Sequence, residues 1–280
     1  MAYSSAMAES AEKGGETGLG DYIIHHIQDS NEWNILGYHL HLPTFEPVQV
    51  LGMQLDFSIT QHLVMMWIVS ILLIAGISWS FRKKQLIPTG FAGVVEALVL
   101  FVRDEIAIPN IGLKDGKRLT PLLTTMFFFI LSCNLLGLIP LFGTATGNIT
   151  VTASLAIITF MSTQIMGMVK NGVLGYWKSM VPHGIPLPLM VIIVPIEIFG
   201  LFTKPFALAM RLFANMIAGH TVIYALIGLI IAIGSFFVSP FAIGFAIFIN
   251  LLEILVAFIQ AYIFTMLSSL FIGMAMHPEH

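Results

Sequence analysis

The sequence predicts an all-α membrane protein with about five transmembrane helices plus one amphipathic membrane helix, ending in a long tilted helical hairpin. Two observations lead to this fold class. Of the 280 residues, 57% are hydrophobic and only 10% are charged, whereas a soluble domain has about 25% charged residues. The apolar residues also form runs of about 20 or more, the length that an α-helix needs to cross about 30 Å of hydrocarbon.

The composition excludes several classes of protein. The net charge of −3 gives no indication of nucleic-acid binding. The single cysteine, Cys133, permits neither an intrachain disulfide nor a cysteine metal cluster. The sequence contains no Walker loop, glycine-rich nucleotide fingerprint or nucleophile–base arrangement. We therefore expect no catalysis by this chain alone, and we predict no cofactor.

Residues 1–58 are expected to form an extramembrane region. Residues 1–22 are polar and acidic and lack the apolar segment of a secretory signal. Histidines follow at positions 25, 26, 39 and 41, but neither helical spacing nor a set of carboxylates accompanies them, as a metal site requires. We predict a folded cap without a metal ion.

The membrane domain is predicted to cover residues 59–276, followed by a short cytoplasmic tail, residues 277–280. It contains five apolar stretches, of which the last two are longer than a perpendicular span requires and should tilt or project beyond the bilayer. A short turn with Gly, Ser and Pro separates these two, which predicts a helical hairpin. The five stretches cover residues 60–81, 120–142, 149–169, 188–230 and 236–276.

Residues 88–108 are predicted to form the amphipathic helix. Apolar stripes alternate there with charged side chains, a pattern typical of a helix at the membrane interface or packed against other helices. The charged residues are Glu96, Arg103, Asp104 and Glu105, and Glu96 is interpreted as a surface or interface residue. A polar turn is expected over residues 109–118, and a loop rich in Gly and Pro over residues 170–188.

The basic residues predict the orientation of the chain. Apart from Lys204 and Arg211, which lie within the fourth span, they fall on one side of the membrane under this assignment, and the opposite side has only Lys13. Since cytoplasmic loops carry the excess of Lys and Arg, we expect an external N-terminus and a cytoplasmic C-terminus. We find no internal repeat, which disfavours the inverted-repeat architecture of many transporters. The residues on the basic side are Arg82, Lys83, Lys84, Arg103, Lys114, Lys117, Arg118, Lys170 and Lys178.

Few ionisable side chains lie inside the two long apolar stretches. An arginine at mid-helix costs roughly 2.5–3.5 kcal/mol on membrane-insertion scales, so such residues are usually functional. The first stretch contains Glu197, Lys204, Arg211 and His220, with the polar Asn215, and the second contains Glu253 with the polar Asn250 and Gln260.

Helical geometry places most of these groups on common faces. At about 100° per residue, four residues of the first helix share one stripe, and Glu253 shares a face with Gln260 on the second helix. The stripe comprises Glu197, Lys204, Arg211 and Asn215.

An antiparallel hairpin constrains which of these residues can meet. The register that places Arg211 opposite Gln260 also places His220 close to Glu253. On ideal geometry His220 lies nearly half a turn away from the arginine stripe, so helix curvature or a third surface must bring it into the site.

A structural interpretation of these charges stays open. Arg211 with Glu253, or Glu197 with Lys204, would then form ion pairs that hold helices together. Lys204 lies beside Pro205 near the expected cytoplasmic end, so its side chain is also suited to reach the membrane surface.

The segment MRLFANMIAGH, residues 210–220, resembles the sequence around the essential arginine of the a subunits of F-type ATP synthases, the membrane stator subunits of this rotary enzyme. Three further segments resemble flanking elements of that family in the same order. They are NLLGLIP at 134–140, KPFALAMRLF at 204–213 and EILVAFIQAYIFTMLSSLFI at 253–272. The resemblance covers about residues 60–276.

The resemblance implies a role for each candidate residue. Arg211 would face a ring of c subunits and separate two half-channels. Glu197, with Lys204, would belong to the cytoplasmic half-channel. The outer half-channel would be lined by His220, Glu253, Asn215, Gln260 and Asn250.

Many bacterial members of the family have the acid on the arginine helix and the histidine on the last helix. This chain has them exchanged, as His220 and Glu253, which suggests that the two groups act as a proton-accepting pair.

The function implied by the resemblance is that of a non-catalytic, proton-translocating stator subunit in a bacterial inner membrane. Its partners would be the c-ring, the b subunits of the peripheral stalk, F1 through that stalk, and membrane lipid. Two alternatives stay open at this point: a secondary transporter or ion channel that uses Arg211 and Glu253, and a purely structural membrane scaffold.

Overall fold

The computed structural model describes residues 32–35, 38–43, 48–50, 53–55, 58–82, 88–139, 144–179, 187–233 and 239–278. Five helices in this part of the chain are long and apolar enough to cross a membrane. The predicted class, an all-α membrane protein, is confirmed. The five helices are α1 (Gln61–Ser80), α4 (Leu113–Gly137), α5 (Ile149–Asn171), α7 (Leu187–Ile233) and α8 (Ser239–Met276).

The membrane part is preceded by two short β-hairpins. Strand β1 (Glu32–Ile35) pairs antiparallel with β2 (Tyr38–His41), and β3 (Val48–Val50) pairs antiparallel with β4 (Met53–Leu55). These strands lie in the region predicted as a folded cap, although the sequence analysis assigned no strands there. Histidines 25 and 26 lie outside the described residues.

The amphipathic segment is interrupted by a π-helical turn. Helix α2 (Phe91–Phe101) continues into π-helical residues Val102–Ala107 and then into the short helix α3 (Ile108–Ile111). Within the π-helical turn, Arg103 donates hydrogen bonds of 2.7 and 2.9 Å to Asp104. This guanidinium holds the pKa of the Asp104 carboxyl below its usual range.

Two segments predicted as turn or loop are largely helical. Gly112 has φ of 101°, a conformation that favours glycine, and it separates α3 from α4. The expected polar turn over residues 109–118 is thus reduced to one residue. Gly172, with φ of 74°, similarly separates α5 from the short helix α6 (Val173–Ser179), which lies within the predicted loop.

The chain divides into two compact units, each built from separate segments. The first unit comprises residues 1–70, 133–148 and 214–257, and the second comprises residues 71–132, 149–213 and 258–280.

In the second unit, α8 packs closely against the π-helical turn and α3. The Ser269 hydroxyl donates a hydrogen bond of 3.0 Å to the Ile106 carbonyl, and His277 Nε2 lies 3.2 Å from the Ile111 carbonyl. Between these two bonds the backbone of Gly273 lies so near the Asn110 carbonyl oxygen that a Cβ would overlap it. A glycine is therefore required at position 273.

We expect Gly273→Ala to destabilise the protein by about 1–3 kcal/mol, the usual cost of overpacking, because its Cβ would meet the Asn110 carbonyl. Gly244→Ala is the matched control in the same helix, since a Cβ there would have no neighbour within 4 Å. Thermal unfolding of the purified protein in detergent compares the two variants. Equal unfolding temperatures would contradict the close contact at Gly273.

Candidate functional site

Arg211 lies on an exposed face of α7. Within the described part of the chain, its guanidinium has no hydrogen-bond or ion-pair partner. The exposed residues beside it are small, namely Ala207, Ala214 and Ala218. A permanent charge therefore stands on a surface that has few bulky side chains.

Another face of α7 is buried inside the protein. Leu208, Leu212 and Met216 follow one another at intervals of four residues, and each is at most 4% exposed. Leu212 directly follows Arg211 in the sequence, so the helix turns its aliphatic side chains inward and its guanidinium outward.

The stripe predicted from helical spacing forms one face of α7. Glu197, Arg211 and Asn215 are exposed, and Lys204 is half-buried. The structure thus leaves three of the four residues of the predicted stripe exposed.

The second unit contains a cavity of about 570 Å³ beside the N-terminal part of α7. Glu197 and Lys204 both line it, opposite polar residues of α5 and α6. This volume accommodates several water molecules. The polar residues of the cavity wall include Thr163, Gln164, Tyr176 and Ser179.

The contacts of two side chains in this wall, Lys204 and Gln164, indicate what the cavity can hold. The Lys204 ammonium lies 5.8 Å from the centroid of the Phe271 ring, within the range of a cation–π interaction. Gln164 is buried, and its Nε2 finds no hydrogen-bond partner among the described residues. A buried amide donor at the edge of a cavity is suited to bind water.

Helix α8 turns its polar side chains inward. Gln260 is 3% exposed, and Thr265, Ser268 and Ser269 are fully buried. Ser268 also forms a hydrogen bond of 3.0 Å with Thr159 of α5. The predicted helix register places Gln260 opposite Arg211. No hydrogen bond joins these two side chains in the described structure.

Glu253 is buried in the first unit, where α8 approaches α7. Its carboxylate rests on the backbone of Gly219, so that a Cβ at this position would overlap Oε1. The other oxygen, Oε2, is buried and has no hydrogen-bond partner in the described part of the chain. Since Gly219 precedes His220, this contact agrees with the predicted helix register.

His220 is held by an element that the sequence analysis did not assign to the site. Its Nε2 forms a hydrogen bond with Oγ1 of Thr144, which begins the turn between α4 and α5. The same turn is fixed by the Thr146 hydroxyl, which donates a hydrogen bond of 2.7 Å to Asn134 Oδ1. This turn is the third surface that the helical geometry required for His220.

The two remaining candidates occupy intermediate positions. Asn250 is half-buried on α8, three residues before Glu253, and Asn215 is exposed on α7. Neither side chain forms a hydrogen bond within the described structure.

Comparison with known proteins identifies relatives over most of the chain. The family model described as ATP synthase A chain matches residues 63–273. A curated ATP synthase subunit a from Anaeromyxobacter dehalogenans (strain 2CP-C) is 45% identical, over 96% of this chain and 75% of the relative. The corresponding subunit of Myxococcus xanthus (strain DK1622) is 52% identical, over 81% of this chain and 75% of the relative.

We expect Gly219→Ala to displace the Glu253 carboxylate, because the new Cβ would occupy the position of Oε1. The displaced group should react several-fold faster with a water-soluble carbodiimide, measured by mass spectrometry of the modified peptide. Gly200→Ala is the matched control on the same helix, since its Cβ would meet nothing within 4 Å. Unchanged labelling of Glu253 in Gly219→Ala would contradict this packing.

Proposed function

This chain belongs to the ATP synthase A chain family, and we propose that it is the stator subunit that provides two offset proton half-channels beside a rotating ring of c subunits. Protons that cross the membrane through these half-channels load and unload carboxylates of the ring. Their passage is coupled to rotation and thereby to ATP synthesis.

The exposed guanidinium of Arg211 is the observation that carries this proposal. An unpartnered arginine facing lipid in the middle of a 47-residue helix would be expensive, by roughly 2.5–3.5 kcal/mol or more. A ring of acidic side chains passing this face supplies the missing anion. The small residues beside Arg211 support the same partner, since small side chains let helices approach closely in membranes.

The chemistry of guanidinium suits a barrier between two proton paths. It keeps its proton throughout the physiological pH range, so it attracts an ionised carboxylate without handing over a hydrogen. Each elementary charge that crosses the membrane carries about 2.3 kcal/mol per 100 mV. A direct leak past Arg211 would dissipate this energy without rotation.

The outer half-channel is assigned to His220 and Glu253. Imidazole and carboxylate groups are the usual side chains for proton transfer near neutral pH. His220 follows Gly219 in the same turn of α7, and the Glu253 carboxylate contacts the backbone of Gly219. The path would continue along Asn215, Asn250 and Gln260 to the ring.

The cytoplasmic half-channel is assigned to the cavity of the second unit. Its volume of about 570 Å³ and its polar wall are suited to hold water, and Glu197 lines it. A ring carboxylate that reaches this cavity would release its proton to water. Lys204, which lines the same cavity, would contribute a positive charge near the exit.

The remaining assignments follow from the same function. The chain would lie in a bacterial inner membrane with residues 1–58 on the periplasmic side, the membrane domain over residues 59–276, and residues 277–280 in the cytoplasm. It would contact the b subunits of the peripheral stalk and, through them, F1.

We predict that Arg211→Ala abolishes ATP synthesis while the complex still assembles, because the barrier is lost and an exposed side chain is not needed for folding. ATP synthesis by membrane vesicles and co-purification of the c-ring measure the two properties. Arg118→Ala, which removes an exposed cation from another helix, should retain synthesis. Normal synthesis by Arg211→Ala would refute the proposed role and favour a structural one.

We also predict that His220→Glu and Glu253→His, each alone, lower ATP synthesis more than the double exchange does. Each single variant leaves two like groups at the site, whereas the double variant restores one imidazole and one carboxylate. The coupling energy of this double-mutant cycle should fall within about 0.5–3 kcal/mol, as for residues in contact. A double variant that is less active than both single variants would count against a cooperating pair.

A further inference from the structure

We propose that His277 relays protons between the water of the cavity in the second unit and the cytoplasm, with Nδ1 as the ring nitrogen that takes up and releases the proton. This inference rests on the proposed function of that cavity as the cytoplasmic half-channel. It names the group that exchanges protons at the opening of the cavity.

His277 borders both the cavity and the surface of the protein. It directly follows the last residue of α8, and its side chain is exposed. The same residue lines the cavity, together with Glu197 and Lys204 of α7. A proton that the imidazole ring takes from the water of the cavity can therefore be released to the medium.

The ring of His277 is held through one of its two nitrogens. Nε2 lies 3.2 Å from the carbonyl oxygen of Ile111, the last residue of α3. A carbonyl oxygen has lone pairs but no hydrogen, so Nε2 is the donor of this hydrogen bond. Nε2 therefore carries a hydrogen in the neutral ring as well as in the protonated ring.

The other ring nitrogen is left for proton exchange. In a neutral imidazole only one nitrogen carries a hydrogen, so the lone pair of His277 is on Nδ1. Within the described residues, this nitrogen has no hydrogen-bond partner. A proton can thus bind to Nδ1 and leave it again while the hydrogen bond to Ile111 stays intact and the ring keeps its position.

The charged groups near this ring lie on three helices. Asp115 of α4 interacts electrostatically with His277, but its carboxylate accepts a hydrogen bond of 2.7 Å from the Lys170 ammonium of α5. Glu197 and Lys204 of α7 line the cavity that His277 also lines, and α3 has no ionisable side chain. Since Asp115 is engaged by Lys170, its carboxylate is not a partner that would keep a proton on Nδ1.

The chemistry of imidazole suits a relay at this place. The group titrates near neutral pH, where free protons are scarce, so it can exchange protons with the buffer of the medium. Water in the cavity, whose volume is about 570 Å³, would connect a carboxylate of the c-ring to His277. In ATP synthesis the proton would move from this water to Nδ1 and then to the medium.

The experiment measures ATP synthesis by the complete enzyme in inverted membrane vesicles, whose cytoplasmic side faces a medium of low buffer and phosphate concentration. In His277→Gln the side-chain amide can still donate to the Ile111 carbonyl but cannot take up a proton. We expect this variant to synthesise ATP about ten-fold more slowly, a smaller loss than the roughly 100-fold effect of an acid–base group that touches the reacting atoms. His280→Gln, the same substitution three residues later, is the matched control and should keep the rate of the unmodified enzyme.

Added imidazole should restore most of the synthesis by His277→Gln, because it carries protons between the cavity and the medium. Pyrazole, a ring of the same shape that takes up no proton near neutral pH, should not restore it. A purely structural role of His277 would not produce this difference between the two compounds.

Nitrogen NMR of the histidine-labelled complex measures the tautomer in the unmodified enzyme. The signals of His277 are identified by their loss in His277→Gln, or in His277→Ala if the glutamine variant does not assemble. We expect the neutral ring to carry its hydrogen on Nε2. Co-purification of the c-ring checks the assembly of each variant.

Three results would each overturn the inference: full synthesis by His277→Gln at low buffer concentration, a loss of synthesis that imidazole does not restore, or a neutral ring with its hydrogen on Nδ1. The failure of the proposed function has a different result, because Arg211→Ala would then synthesise ATP normally. If Arg211→Ala abolishes synthesis while His277→Gln keeps the full rate, only the relay is excluded.

Discussion

The cost of an ionised side chain in hydrocarbon is the constraint on which this structure depends. The two long helices place their ionisable side chains in different surroundings. Helix α7 leaves Arg211 exposed among small residues, where a nearby opposite charge or water would relieve the cost. Helix α8 buries Glu253 and Gln260 inside the protein. One helix therefore exposes a permanent charge, and the other buries a carboxylate and an amide.

At three points a glycine leaves space for a polar group that packs against it. The carboxylate of Glu253 rests on Gly219, the Thr144 side chain occupies the space beside Gly137, and the Asn110 carbonyl lies against Gly273. In each case a Cβ would lie less than 3.0 Å from a polar atom, which is closer than real Cβ atoms come. Protein interiors are close-packed, so a polar group can enter only where a neighbour gives up its side chain. The positions of these three polar groups therefore depend on how closely the neighbouring segments pack.

Periodicity predicted the features that depend on a single helix. The five spans and the stripe that contains Arg211 follow from hydropathy and from 3.6 residues per turn, and the observed helices agree with both. The hydrogen bond between Thr144 and His220 could not be predicted in this way. A short segment of Gly, Thr and Asn between two spans has the composition of a solvent-exposed turn, and only tertiary packing reveals that Thr144 and Thr146 are buried. The π-helical turn after Phe101 was missed because no local pattern marks it.

In this chain the acid lies on α8 and the histidine on α7, and each side chain contacts a specific group of a neighbouring element. The glutamate on α8 rests on the bare backbone of Gly219 on α7, and the histidine on α7 shares a hydrogen bond with the Thr144 hydroxyl of a neighbouring turn. The pair is thus defined by its surroundings as much as by its two ionisable groups. An exchange of the two side chains between helices would place the imidazole against Gly219 and the carboxylate near Thr144. A carboxylate can only accept, so the Thr144 hydroxyl would then have to redirect its proton from Gly137 toward the acid. The Thr144 hydroxyl can donate as well as accept, so the turn between α4 and α5 offers a hydrogen bond to either group on the arginine helix.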